Sequence, residues 1–237
     1  MTTRYKTRAF VFKKTDVNES DRIFSVFTYE FGRLDIYAKA IRKISSKLKN
    51  GIDIFSLSEI EFIQGKNRKT LTDALKSNKS INDLEKLEVA CRVSDVLDSF
   101  IKGQEKDKQT FDFLSDFFCK LSDSKNKIKN YQLVFQYFFW NFISLQGYGL
   151  QTKKCANCFG ELNPNEIYFS AKEGGVVCKN CQAVDGDVKR INSDVVKLLR
   201  LILLKDWITL LKLKISPISQ KLLQEASECA RLNFCPS

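Results

Sequence analysis

Apolar residues follow a strand-like rhythm in short runs through the first eighty positions. The runs are "RAFVFKK" from Arg8, "RIFSVFTYE" from Arg22, "RLDIYAKA" from Arg33, "LSEIEFIQG" from Leu57 and "KTLTDAL" from Lys69. Each is rich in Phe, Ile, Val, Thr or Tyr and is bounded by turn chemistry, which predicts five β-strands. The separators include "DVNESD" and "EFGR", where Gly32 supplies a positive φ at no steric cost. Five short strands in so small a segment fit a closed barrel. The OB-fold is the five-stranded, nucleic-acid-binding version, and an SH3-like barrel fits the periodicity nearly as well.

From Ser80 the spacing lengthens to three or four. Leu84, Leu87, Cys91, Ser94, Leu97 and Ile101 follow the cap-like "SIND" and predict a helix. A second carries Phe111, Leu114, Phe117, Phe118 and Leu121 on one side. A third runs through "NYQLVFQYFFWNFISLQG" and is apolar nearly all round between Leu133 and Leu145, which predicts a centrally buried element. Cys91 and Cys119 fall on these helices and read as buried small hydrophobes. Further on, Asn192 or Ser193 caps "SDVVKLLRLILLKDWITLLKL", and Ser216–Pro217 opens "ISQKLLQEASECARLNF". The simplest arrangement packs these late helices on the earlier ones. The expected fold is therefore α+β and multidomain: a five-stranded barrel over 1–79 and one discontinuous all-α domain over 80–150 and 186–237. A cysteine module is inserted at 151–185.

Composition supports a folded chain, since 43% of its 237 residues are hydrophobic, 12% are aromatic and only three are proline. The amino terminus has only the four-residue apolar run "AFVF", too short for a signal segment, and no apolar run reaches 18 residues. We expect a cytoplasmic protein with no membrane contact. Charge narrows the choice of partners. The net charge is +11, and residues 1–80 carry 17 Lys/Arg against 9 Asp/Glu, a net of +8. Residues 81–150 come to −1 and residues 151–237 to +4. A positive field concentrated on one module suits a polyanion, nucleic acid before membrane. The absence of histidine excludes Ser/His/Asp and Cys/His catalysis, HExxH metalloproteases and Cys2His2 fingers.

Candidate chemistry lies in two places. Cys155-x2-Cys158-x19-Cys178-x2-Cys181 has the spacing of a four-thiolate zinc site. Each C-x-x-C turn directs two thiolates at one point, with Gly160 relaxing the first turn, and "EIYFSAKEGGVVC" forms a hairpin through Gly174 and Gly175 that returns the second pair. Four sulfurs fill a tetrahedral shell and leave no position for water, so the ion is structural, not catalytic. A redox C-x-x-C and iron–sulfur ligation are the competing readings; a redox C-x-x-C needs neither a matching second pair nor a ribbon-like hairpin. The other place is "KAIRKISSKLKN" between the third and fourth strands, with Lys39, Arg42, Lys43, Lys47 and Lys49 and no acidic residue. A loop of flexible cations at a barrel rim can follow a phosphate backbone without reading bases. Arg22, Arg33 and Tyr37 are positioned to extend that surface.

The passages "NESDRIFSVFTYEFGRLDIYAKAIRK" and "LQGYGLQTKKCANCFG", with the second C-x-x-C and two closing helices, resemble the RecO family of bacterial recombination mediators across essentially the whole chain. That resemblance implies an amino-terminal OB domain, a helical domain and a zinc module holding one structural Zn2+ through Cys155, Cys158, Cys178 and Cys181. It also implies a basic DNA-binding surface at Lys39, Arg42, Lys43 and their neighbours. The implied role is non-enzymatic DNA repair. Such proteins bind single- and double-stranded DNA, anneal complementary strands, engage the acidic tail of single-strand-binding protein, and with RecR help load RecA; they work in the cytoplasm at the nucleoid. The sequence departs from the family's pattern in ending soon after "ARLNFCPS", without an extended basic tail. Two other classes share part of the pattern. One is a zinc-ribbon nucleic-acid-binding or interaction protein of transcription or translation, and the other a thiol redox enzyme, which requires a low-pKa cysteine.

Overall fold

The computed structural model describes residues 3–184 and 188–234. Five strands, β1 (Arg4–Val17), β2 (Asp21–Thr28), β3 (Gly32–Ala38), β4 (Leu57–Gln64) and β5 (Lys69–Lys76), coincide with the five strand-like runs. They close in the order β1-β2-β3-β5-β4, with β3 and β5 parallel and every other pairing antiparallel, the OB arrangement. Val11, Phe24, Val26, Leu34, Ile36, Ile60 and Phe62 fill the barrel. Gly32 sits at φ +64°, and a Cβ there would lie 2.3 Å from the Glu105 carbonyl oxygen. The β2–β3 turn and the close approach of the 104–105 segment both depend on its having no side chain.

β1 explains why its apolar run is continuous and not alternating. Ala9, Phe10, Val11 and Phe12 are all fully buried, so both faces of the strand are covered. The outer cover is helical: α1 (Leu84–Phe100) and α2 (Lys108–Ser122) pack on β1. The Phe118 ring lies 4.1 Å from Phe10 and 6.2 Å from Phe55, centroid to centroid. By packing, the chain divides into residues 1–126 and 127–237, so α1 and α2 belong with the barrel and not with the later helices that the sequence pattern grouped them with. Outward-facing phenylalanines on β1 supply the apolar surface those two helices need.

The buried stripe of α1 is Val89, Ala90, Val93, Val96 and Leu97, together with Lys86, whose ammonium donates to the Asp123 carbonyl oxygen at 3.0 Å. Leu84 is therefore 82% exposed, and Cys91 and Cys119 both lie at the surface, contrary to the expectation that they pack inside.

In the second unit, α3 (Tyr131–Leu145) is buried from Leu133 to Ile143, as its all-round apolarity predicts. Two of its buried polar side chains are bonded across the unit: Gln136 donates to Ser227 and accepts from the Trp140 indole, both at 2.9 Å, and the Asn141 amide nitrogen donates to the Ile202 carbonyl, while the Asn141 side-chain oxygen is buried without a partner. α4 (Ser193–Leu203), α5 (Trp207–Lys212) and α6 (Pro217–Phe234) surround it. Asn192 is the cap of α4 and Ser216 receives the Ser219 amide at the start of α6. The single helix expected over 193–213 is broken: Lys205 takes φ +58° and Asp206 caps a fresh helix by accepting from the Thr209 amide. A small sheet of β6 (Ile167–Ser170), β7 (Gly175–Cys178) and β8 (Lys189–Ile191), in the order β7-β6-β8, completes the unit. The boundary expected at residue 185 lies outside the described residues. Among the described residues, no helix is long and apolar enough to cross a membrane.

Candidate nucleic-acid interface and metal site

The basic segment leaves β3 through an anchored junction. The Asp21 carboxylate accepts the Ala40 amide at 2.6 Å and the Tyr37 hydroxyl, and the Arg42 amide donates to the Ser20 carbonyl at 3.0 Å. The Ala40 amide and then the Tyr37 hydroxyl hold the Asp21 carboxyl down at about 2. Beyond this clamp the chain runs in successive turns to residue 51, with Ile41 and Ile52 tucked into the barrel core. Lys39, Arg42, Lys43, Lys47 and Lys49 are thereby carried on a short loop with both ends fixed, and all five are exposed. Arg42 shares Asp16, at 3.6 Å, with Arg22 at 2.6 Å. The Arg68 guanidinium covers the Tyr37 ring at 4.0 Å, adding a cation that the sequence reading had not placed here. It was hidden because residue 68 reaches β3 only through the parallel β3–β5 pairing, which no local pattern reveals.

Arg33 does not join this group. It donates to the Ile101 carbonyl at 2.6 Å and to the Asp98 carboxylate at 2.6 Å, closing the carboxy-terminal end of α1, and its guanidinium lies 5.1 Å from the Phe12 ring. Only 18% of its side chain is exposed.

The sulfurs of Cys155, Cys158, Cys178 and Cys181 all lie within 4.8 Å of one another. Four thiolates bound tetrahedrally at about 2.3 Å from a zinc ion would stand roughly 3.8 Å apart, and Cys158 and Cys178 are already at 3.9 Å. The donor set therefore fits a tetrahedral ion after only a small contraction. Cys155 is buried, and the first turn is closed by its amide donating to the Gly160 carbonyl at 2.9 Å. The left-handed residue in that turn is Phe159, at φ +60°, rather than the neighbouring glycine. β6 and β7 form the expected hairpin, and a Cβ on Gly175 would strike the Gln151 carbonyl oxygen at 2.2 Å, so the glycine lets the two cysteine-bearing segments lie together. Burial raises the Cys155 thiol, but the amides of Cys158, Cys178 and Asn157 outweigh it and bring the value to about 6. Burial and the other three cysteines push Cys181 up to about 12. Four like donors that cannot all ionise in isolation are what a dication at their centre would neutralise.

A closed OB-type barrel bearing a clamped loop of cations, followed by a helical unit whose four clustered cysteines could hold a metal ion, defines the class of protein: an OB-type barrel joined to a helical, cysteine-bearing unit. The chain belongs to the RecO family: the model of the recombination protein O N terminal region matches residues 1–78 and that of the C terminal region residues 81–231. Its relatives include proteins named DNA repair protein RecO. The one from Dehalococcoides mccartyi is 28% identical over 97% of this chain and 89% of its own length. That from Alkaliphilus metalliredigens is 25% identical over 90% and 86%, and that from Caldanaerobacter subterraneus 29% over 82% and 78%.

Proposed function

We propose that this protein is a DNA repair mediator that holds single- and double-stranded DNA on its barrel and anneals complementary strands without chemistry of its own. The observation that carries the reading is the loop of five exposed cations with no acidic residue on an OB-type barrel, in a chain that both RecO models cover. Two strands repel through their phosphates; a fixed array of cations screens that repulsion and keeps short complementary stretches together long enough to pair. The work comes from binding energy, since the sequence contains no G-x-x-x-x-G-K-[ST] nucleotide loop.

The second unit supplies delivery. A groove of about 420 Å3 between α4 and the α5–α6 connection is lined by Leu198, Leu201, Leu213 and Ile215, with Lys214 beside them and Lys197 paired with Asp194 at 3.3 Å. Apolar anchors flanked by cations suit the acidic tail of single-strand-binding protein. RecR and, through it, RecA complete the partner set, and the cysteine cluster holds one structural zinc ion that keeps its module folded. The test is annealing of complementary strands, bare and coated. The protein should accelerate both, and a coating protein lacking its acidic tail should abolish the effect on coated strands while leaving bare strands unaffected. Annealing at the spontaneous rate on both substrates at low salt overturns the proposal.

A further inference from the structure

The barrel carries a second feature that the cationic loop does not use. Where β1 begins, β2 turns into β3 and β4 ends, an open pocket of about 370 Å3 exposes aromatic surface. Tyr5 stacks on Phe62 at 5.4 Å, and Phe31 stands edge-on to Tyr5 at 5.7 Å and to Phe62 at 5.8 Å. Phe62 and Leu34 are 2% exposed and form the floor, whereas Tyr5 and Phe31 are only half-buried and turn ring surface to the opening. The mouth is polar. The close approach at Gly32 presses the 104–105 segment against the β2–β3 turn and sets Gln104 and Lys106 at the rim.

We propose that this pocket takes one unstacked base of a DNA single strand, held against Phe31 and Tyr5; the proposal rests on the DNA-binding reading above. Three observations favour a base over other ligands. Flat aromatic surface beside amide and carboxylate groups is how proteins take up a splayed-out base, stacking its faces and hydrogen-bonding its edge. Glu30, which accepts from the Thr7 hydroxyl, puts an anion in the wall, where it repels phosphate and can accept a base N–H. The pocket is also continuous with the cationic surface. Lys69 lines it and pairs with Ile36 across the β3–β5 seam; the next residue back, Arg68, covers Tyr37; and Tyr37 is bonded to the Asp21 that anchors Ala40 at the loop's start. A strand whose phosphates follow the loop meets Arg68 and Lys69 between the loop and the pocket.

Fluorescence anisotropy with a thymidine oligonucleotide and an abasic strand of equal length tests this. The wild-type protein should prefer the strand with bases by about tenfold, the effect of one good stack on an aromatic ring. Phe31→Leu should remove most of that preference and leave both the abasic affinity and the salt dependence unchanged. Equal preference in Phe31→Leu and wild type overturns the pocket assignment alone, whereas no binding of either strand by the wild type sinks the DNA reading itself. A measurement that does not depend on the variant folding is photocrosslinking of the wild-type protein to a strand carrying 5-iododeoxyuridine. Adducts at Tyr5 or Phe31 support the pocket, and adducts confined to residues 39–50 overturn it.

Discussion

The salt dependence of single-strand binding separates the cations that face solvent from those that hold the fold. Lys39, Lys43, Lys47 and Lys49 project from the loop, while Arg42 already shares the Asp16 carboxylate with Arg22. Four lysines each neutralising one phosphate give log K against log salt a slope of about −2.8, a roughly fifty-fold loss of affinity between 50 and 200 mM. Replacing Lys43 and Lys47 together by Gln should bring the slope to about −1.4, so that the same interval costs only about sevenfold. The control is Arg33→Gln. It removes one positive charge from the same strand-and-loop region, but one that closes the end of α1 through Ile101 and Asp98. It should leave the slope unchanged and lower stability to urea by about 2 kcal/mol, the scale of a charge-assisted bond whose carbonyl partner is left unpaired. Anisotropy titrations at four salt concentrations, with urea melts of each variant, give both numbers. An unchanged slope in the double lysine variant refutes the loop as the phosphate site, and a shallower slope in folded Arg33→Gln refutes the capping argument.

The native protein should carry one metal ion per chain at the four clustered cysteines, and Cys155→Ser should lower that content and open residues 155–181 to proteolysis, checked by metal analysis and limited digestion under reducing conditions. Phe118→Ala should cost the first unit about 4 kcal/mol, because the fully buried ring fills the space between β1, Phe55 and α2; in urea, barrel and helix signals should be lost in one transition. Asp21→Asn should remove a pH-dependent part of stability. Because the folded carboxyl is held down at about 2, its contribution is complete above about pH 4 and is lost as pH falls towards 2. Wild-type and variant melts should therefore differ at pH 6, draw together between about pH 4 and pH 2, and converge below about pH 2.

The elements were legible in the sequence because their signals are local. Five short strand-like runs became five strands, and two C-x-x-C turns flanking a hairpin became one cluster. What escaped depends on pairing between distant segments. Arg33 reads as one more cation in a basic region until α1 is seen to end against it. Arg68 reads as a loop residue until the β3–β5 seam brings it over Tyr37.

The helix faces show how periodicity alone misleads. Counting apolar side chains placed α1 on the stripe of Leu84, Leu87, Cys91, Ser94, Leu97 and Ile101; Leu97 and Ile101 are buried, but the stripe before them runs through Lys86, Val89, Ala90, Val93 and Val96. A lysine can enter such a stripe when its methylene stem lies on apolar surface and its ammonium finds a carbonyl, as at Asp123. A pattern that scores every lysine as outward then rotates the whole helix and draws Cys91 inside. The same reasoning accounts for the domain division. An apolar helix face announces only that it needs a partner, and here the partner is the outer surface of β1, where Phe10 and Phe12 lie fully buried. The four-residue run "AFVF" already carried that information, since a strand apolar on both sides must be covered on both.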